Sequence, residues 1–114
     1  MISFACQDIE FKDLLRCSFQ LSKTEYNVFM FLLIKDKYYT TSEIAAIIKL
    51  DRTTVQKSIK ELAGKNLVIR TQENLKKGGY VFYYRINNKS DIKKRMQDIV
   101  EEWHKEVVKE IKRW

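Results

Sequence analysis

The chain has 114 residues, 45% of them hydrophobic, with 22 basic against 15 acidic side chains and a formal net charge of +7. That length suits a single domain, and that apolar content suits a buried core rather than a disordered tail. The longest apolar run, Val28–Ile34, falls far short of the roughly 20 residues of a membrane span; no leader pattern opens the chain, and Cys6 and Cys17 provide neither a disulfide framework nor zinc spacing.

An amphipathic helix is expected over about Asp8–Phe19, with Phe11, Leu14, Leu15 and Phe19 along one side. Ser22-x-x-Glu25 is a capping box, in which the hydroxyl takes the N3 amide and the carboxylate reaches back, so the next helix covers Ser22–Ile34. Its second half is apolar nearly all round, which suits a central helix or one covered on a second side by another chain. After a turn at Lys35–Lys37 comes a short extended piece, Tyr38–Tyr39. Thr40-x-x-Glu43 is a second capping box and opens a helix from Thr41 to about Lys49; Asp51 caps a third from Arg52 to about Lys65. Each cap follows an apolar residue that has an apolar partner at N4 (Leu21 with Tyr26, Tyr39 with Ile44, Leu50 with Val55), the hydrophobic staple.

The Arg52–Lys65 helix turns Val55, Ile59 and Leu62 inward, which puts Thr53, Gln56, Lys57 and Lys60 on its opposite side. Asn66 suits a left-handed C-cap. Two β-prone runs follow, Leu67–Thr71 and Tyr80–Ile86, joined through Lys76-Lys77-Gly78-Gly79, whose glycines supply the positive φ of a hairpin. The alternation of Tyr80, Phe82, Tyr84 and Ile86 with Val81, Tyr83 and Arg85 marks the second run as a strand with an inward side. Ser90–Trp114 reads as one helix whose apolar positions, Ile92, Met96, Ile99, Trp103, Val107, Ile111 and Trp114, form a coiled-coil-like seam with one four-residue slip. A stripe this long has little of its own domain to pack against.

Charge is concentrated in the middle. Residues 49–95 hold thirteen basic groups against four acidic ones, while the flanking segments are each slightly acidic. A bias of this kind is either a solvated lysine-rich surface or the footprint of a polyanion. The elements that carry it favour the polyanion: short helices, the third basic and outward-facing, then a hairpin with a basic tip.

Across Leu21–Ile86 this order resembles the winged helix-turn-helix of archaeal TrmB-like and MarR-like regulators. Leu21-Ser22-x-x-Glu25-Tyr26 is similar to the opening of their first helix, Thr40-x-x-Glu43-Ile44-Ala45 to their second, and Asp51-Arg52-Thr53-Thr54-Val55 through Leu67-Val68 to their recognition helix and the start of the wing. Asn66 stands where such families more often carry glycine. The expected fold is therefore α+β and mostly helical: a winged-helix core at 21–88 in a single domain 1–114, with an added N-terminal helix (1–20) and a long C-terminal dimerisation helix (89–114).

The expected function is sequence-specific binding of double-stranded DNA by a homodimeric transcriptional regulator. Gln can read adenine bidentately, Arg guanine, and the Thr methyl can meet thymine in the major groove. Arg52, Thr53, Thr54, Gln56 and Lys57 are the candidates for that role, with Lys60 on phosphate. Lys76 and Lys77 at the tip, with Arg70 and Arg85 behind them, suit phosphate or the minor groove. Phe11, Leu14, Leu15, Ile92, Met96, Ile99, Trp103, Val107 and Ile111 are the candidate dimer interface, with Trp103 an anchor. Two other readings fit the same residues: a winged-helix module for an acidic protein partner, and a chromatin-like DNA coater of low sequence preference. The tyrosines of Tyr80–Tyr84 could instead stack on single-stranded bases.

Nothing favours an enzyme: His104, the only histidine, lies on the charged terminal helix, and there is no phosphate loop, metal motif or nucleophile elbow. No cofactor, metal or membrane is expected, and any small-molecule effector would need a pocket between two copies. Cys6 and Cys17 are expected as buried reduced thiols, an intermolecular redox disulfide being the alternative. The expected location is cytoplasmic, on the nucleoid.

Overall fold

A computed structural model describes all 114 residues, in the order β1 (Ile2–Phe4), β2 (Gln7–Ile9), α1 (Phe11–Phe19), α2 (Lys23–Lys35), α3 (Thr41–Ile48), α4 (Arg52–Gly64), β3 (Val68–Asn74), β4 (Tyr80–Ile86) and α5 (Lys89–Arg113). They fall into two compact units, Ser22–Lys89 and the pair of segments Met1–Leu21 and Ser90–Trp114.

In the unit Ser22–Lys89, local chemistry starts each helix. Ser22 and Thr40 accept from the backbone N–H groups of Glu25 and Glu43, whose carboxylates accept in return from the cap N–H groups, so both capping boxes close. Helix α2 is central, packing on α3, α4 and β4. It buries Val28, Phe29 and Leu32; α3 adds Ile44 and Ala45, and α4 adds Val55, Ile59 and Leu62. The α4 stripe thus faces inward as its spacing predicts.

The left-handed residues that follow α1 to α4 are not glycines. Asn66 lies at φ 58°, its N–H donating to Ala63 O and the Leu67 N–H to Leu62 O, the two hydrogen bonds of a Schellman motif. Leu62 and Leu67, the two positions at which the motif is usually apolar, are both buried. Gln20, Asp36 and Lys49 are also left-handed, at φ 54°, 50° and 58°. A side chain in this region costs about 1–2 kcal/mol, which glycine avoids at some loss of chain entropy. Lys49→Gly is accordingly expected to stabilise the fold by about 1 kcal/mol in urea unfolding.

Strands β3 and β4 pair antiparallel from Val68↔Ile86 to Asn74↔Tyr80. Strand β4 has its expected bounds, whereas β3 runs three residues farther than Thr71: Gln72, Glu73 and Asn74 have poor strand propensity, but pairing to β4 supplies their hydrogen bonds. Tyr39 adds a third, one-residue strand, its N–H donating to Tyr84 O at 2.9 Å and Tyr84 N–H donating to Tyr39 O at 2.8 Å. The alternation in β4 does not produce a buried side. Only Ile86 is fully covered, and Tyr80, exposed, leans on half-buried Phe82 with ring centroids 5.1 Å apart.

In the other unit the N-terminal expectation is corrected. Helix α1 starts at Phe11, not Asp8, because residues 2–9 form a hairpin, Ile2↔Ile9 to Phe4↔Gln7, which turns at Ala5 with φ 48°. Ser3 and Asp8, paired across it, share a 2.9 Å side-chain hydrogen bond. The expected burial of the cysteines is also wrong: Cys6 stands in the hairpin turn and Cys17 on the outer side of α1, away from buried Leu15 and Phe19, and both are exposed. Helix α5 has 25 residues, about 37 Å at 1.5 Å each.

Candidate nucleic-acid interface

Helix α4 begins at Asp51, whose carboxylate accepts from the Thr54 backbone N–H at 3.2 Å and from the Thr54 hydroxyl. These bonds hold the Asp51 carboxyl below its ordinary value of 3.8, the Thr54 hydroxyl being the largest cause and the charge of Lys57 a smaller one. A lowered carboxyl stabilises the fold in full above its unfolded value and loses that contribution as the pH falls through the folded one. The stability deficit of an Asp51→Ala variant is therefore expected at pH 7 and should shrink at pH 3, as urea unfolding at both would show.

The next residues separate into two sides. Val55, Ser58, Ile59 and Leu62 are buried, and Ser58 Oγ donates to Thr54 O at 3.1 Å. Arg52, Thr53, Gln56, Lys57 and Lys60 are exposed. Thr53, Gln56, Lys57 and Lys60 lie within about 100° of arc and about 10 Å of helix length, and they offer cationic and amide donors. Thr54 is half-buried and its hydroxyl is committed to Asp51, which leaves chiefly its methyl for other contacts.

At the wing tip, Leu75 N–H donates to Gly79 O at 3.0 Å and Gly78 N–H to Leu75 O at 3.1 Å, closing a tight loop. Gly78 and Gly79 take φ of 93° and 83°, which side chains rarely adopt. Lys76 and Lys77 are exposed between them and the strand.

The two strand arginines do not share a side. Arg70 pairs with Tyr84 and stacks on Phe82, 4.2 Å from ring centroid to guanidinium carbon. Arg85 pairs with Ile69, hence projects from the other face of the hairpin, where its Nε meets Asp36 Oδ1 at 3.2 Å and its guanidinium lies 5.5 Å from the Tyr38 ring. Asp36 and Tyr38 were not legible as part of this site. Counting alternation outward from the Gly78-Gly79 turn would have separated the arginines, but no local signal brings in Asp36, 49 residues away.

The candidate interface residues of the other unit are placed unevenly. Leu15 and Ile92 are buried within one chain, Leu14 and Met96 are half-buried, and Phe11 is exposed. Ile99, Trp103, Val107 and Ile111 are exposed along α5, Trp103 by 59% and Ile111 by 62%. No group of His, Cys, Asp or Glu is arranged to hold a metal ion, and no helix is long and apolar enough to cross a membrane.

Comparison with known proteins agrees with this architecture. Residues 15–89 match the family of sugar-specific transcriptional regulators TrmB. The uncharacterised protein MJ1503 of Methanocaldococcus jannaschii is 31% identical over 103 residues, 90% of this chain and 77% of the relative. A solved structure of a "possible transcriptional regulator" from Methanosarcina mazei superposes with a TM-score of 0.92 at 37% identity, covering 100% of this chain and 96% of that one. MepR of S. aureus, solved as a mutant bound to an oligodeoxyribonucleotide, superposes with a TM-score of 0.58 at 17% identity over 86% of this chain and 71% of that one, a likeness of fold. The family match covers well over half the chain and is that of DNA-binding regulators rather than enzymes: this chain is a winged helix-turn-helix protein of the TrmB family of transcriptional regulators.

Proposed function

We propose that the protein acts as a homodimer on duplex DNA of defined sequence, with α4 in the major groove and the β3–β4 wing on the backbone or minor groove. The observation that carries this reading is the exposed row Thr53, Gln56, Lys57 and Lys60 on a helix whose other side is wholly buried. A groove about 12 Å wide admits one such helix. Arg52, Thr53, Gln56 and Lys57, with the Thr54 methyl, are the base-reading group; Lys60, Arg70, Lys76 and Lys77 neutralise phosphates. The MepR structure supports the reading because that protein, of like fold, is bound to an oligodeoxyribonucleotide.

The dimer reading rests on the apolar stripe of α5, which one chain leaves uncovered from Ile99 to Trp114. Two copies related by a two-fold axis place two recognition helices on half-sites about 34 Å apart. In this arrangement residues 21–88 are the DNA-binding core, and the flanking helices hold the copies together.

Salt titration of duplex binding tests the reading. The logarithm of the affinity should fall steeply with the logarithm of salt, and Lys57→Ala with Lys77→Ala should weaken binding and reduce the slope by about one, the share of the phosphate-neutralising Lys77. Unchanged binding by that double variant would count against DNA. Selection from a random duplex pool should return a pseudo-palindrome that survives a large excess of unrelated DNA; a coater of low specificity would return none.

A further inference from the structure

The root of the wing is fastened to the segment between α2 and α3 at neighbouring points. Backbone hydrogen bonds join Tyr39 to Tyr84 in both directions. One residue along, Arg85 reaches Asp36 at 3.2 Å and lies against the Tyr38 ring. Asp36 is itself fixed, as the left-handed residue that ends α2 with its N–H on Leu32 O. Segment 36–39 leads directly into the Thr40 cap of α3, so the joint ties the wing to the start of the helix-turn-helix.

The side chains of Arg85 and Asp36 are 39% and 62% exposed. An ion pair so exposed adds little to stability. A planar guanidinium held by a carboxylate on one side and a ring on another does fix an angle. That angle matters at the tip: the five residue steps from Tyr84 to Gly79 span about 17 Å, so a swing of about 10° at the root displaces the tip lysines by about 3 Å, the length of a hydrogen bond.

We propose that Arg85 is a positioning residue which, through Asp36 and Tyr38, sets the angle of the β3–β4 wing against α3 and α4, and that it does not touch DNA. Its functional consequence rests on the DNA-binding reading above. The sign of one substitution separates this role from a phosphate contact. Removing the Asp36 charge would release Arg85 and take a negative group from the DNA side if Arg85 gripped phosphate, and binding would tighten. In the positioning role the same change loosens the wing and binding weakens.

The experiment uses the full chain and the variants Asp36→Asn, which keeps a residue tolerant of the left-handed region, Arg85→Met, which keeps the apolar stem, and their combination. Each variant is expected to weaken duplex binding about three- to five-fold with the salt slope unchanged, and the combination no further, whereas Lys76→Ala lowers the slope by about one. Amide hydrogen exchange gives a readout without DNA: the Tyr39 and Tyr84 amides should exchange about three- to five-fold faster in both variants, while the α4 amides keep their rates. Wild-type exchange rates at Tyr39 and Tyr84 in both variants would overturn the proposal. So would tighter binding by Asp36→Asn together with a slope lowered by about one in Arg85→Met. If the unmodified protein fails to bind duplex while the two amides still respond, the DNA reading falls and the joint stands.

Discussion

Replacing Phe29 with alanine should destabilise the protein by about 3–5 kcal/mol, a large part of the total stability of a domain this size. Phe29 is 1% exposed on α2, the helix that α3, α4 and β4 all contact, in a core that also holds Leu32, Ile44, Ile59 and Leu62. Those side chains are held by three separate elements, so the space a truncated ring leaves cannot close by one local shift; the cavity term adds to the lost transfer free energy. Phe31, two positions on, makes a useful control. It is half-buried and meets Tyr39 at a centroid distance of 5.0 Å, so Phe31→Ala should cost clearly less. Urea unfolding followed by circular dichroism measures both. A loss below about 1 kcal/mol at Phe29 would contradict α2 as the centre of this unit.

Placing a carboxylate in the α5 stripe should abolish self-association. Trp103 lies midway along the run Ile99, Trp103, Val107, Ile111, and more than half of its surface is open to solvent in one chain. In a two-fold pairing each substitution counts twice. Loss of an aromatic anchor typically costs about 2 kcal/mol or more, so Trp103→Glu should weaken the dimer by at least about 4 kcal/mol, roughly a thousand-fold. Sedimentation equilibrium should give a dimer for the natural sequence and a monomer for the variant. The folded content of residues 22–89 should persist, because no residue of that core is changed. A natural chain that sediments as a monomer at high micromolar concentration would remove the dimer from the proposed function.

The parts of the fold legible in the sequence are those set by neighbours within one helical turn or one strand. Ser22 with Glu25 and Thr40 with Glu43 announce their helices because both halves of a capping box lie three residues apart. The same holds for the Val55, Ile59 and Leu62 stripe and for the β4 alternation, which marks the strand though not the inward side expected of it. What failed was decided by pairing. The β1–β2 hairpin has three-residue strands and turns at Ala5 rather than glycine, so nothing local distinguishes Gln7–Ile9 from the lead into a helix. Strand β3 extends over Gln72–Asn74 only because β4 lies beside it. The candidate site shows the same division: the outward row of α4 follows from helical period alone, whereas the commitment of Arg85 to Asp36 depends on a contact across 49 residues.

The distribution of aromatic residues has a practical consequence. Both tryptophans of the chain, Trp103 and Trp114, lie in the C-terminal segment, while all six tyrosines (Tyr26, Tyr38, Tyr39, Tyr80, Tyr83 and Tyr84) belong to residues 22–89. Red-edge excitation therefore illuminates one unit only. Indole emission reports what covers α5 and is nearly blind to melting of the winged-helix core, whereas phenol absorbance follows that core and the wing. The chain thus carries two native chromophores whose signals separate association from unfolding without any attached label.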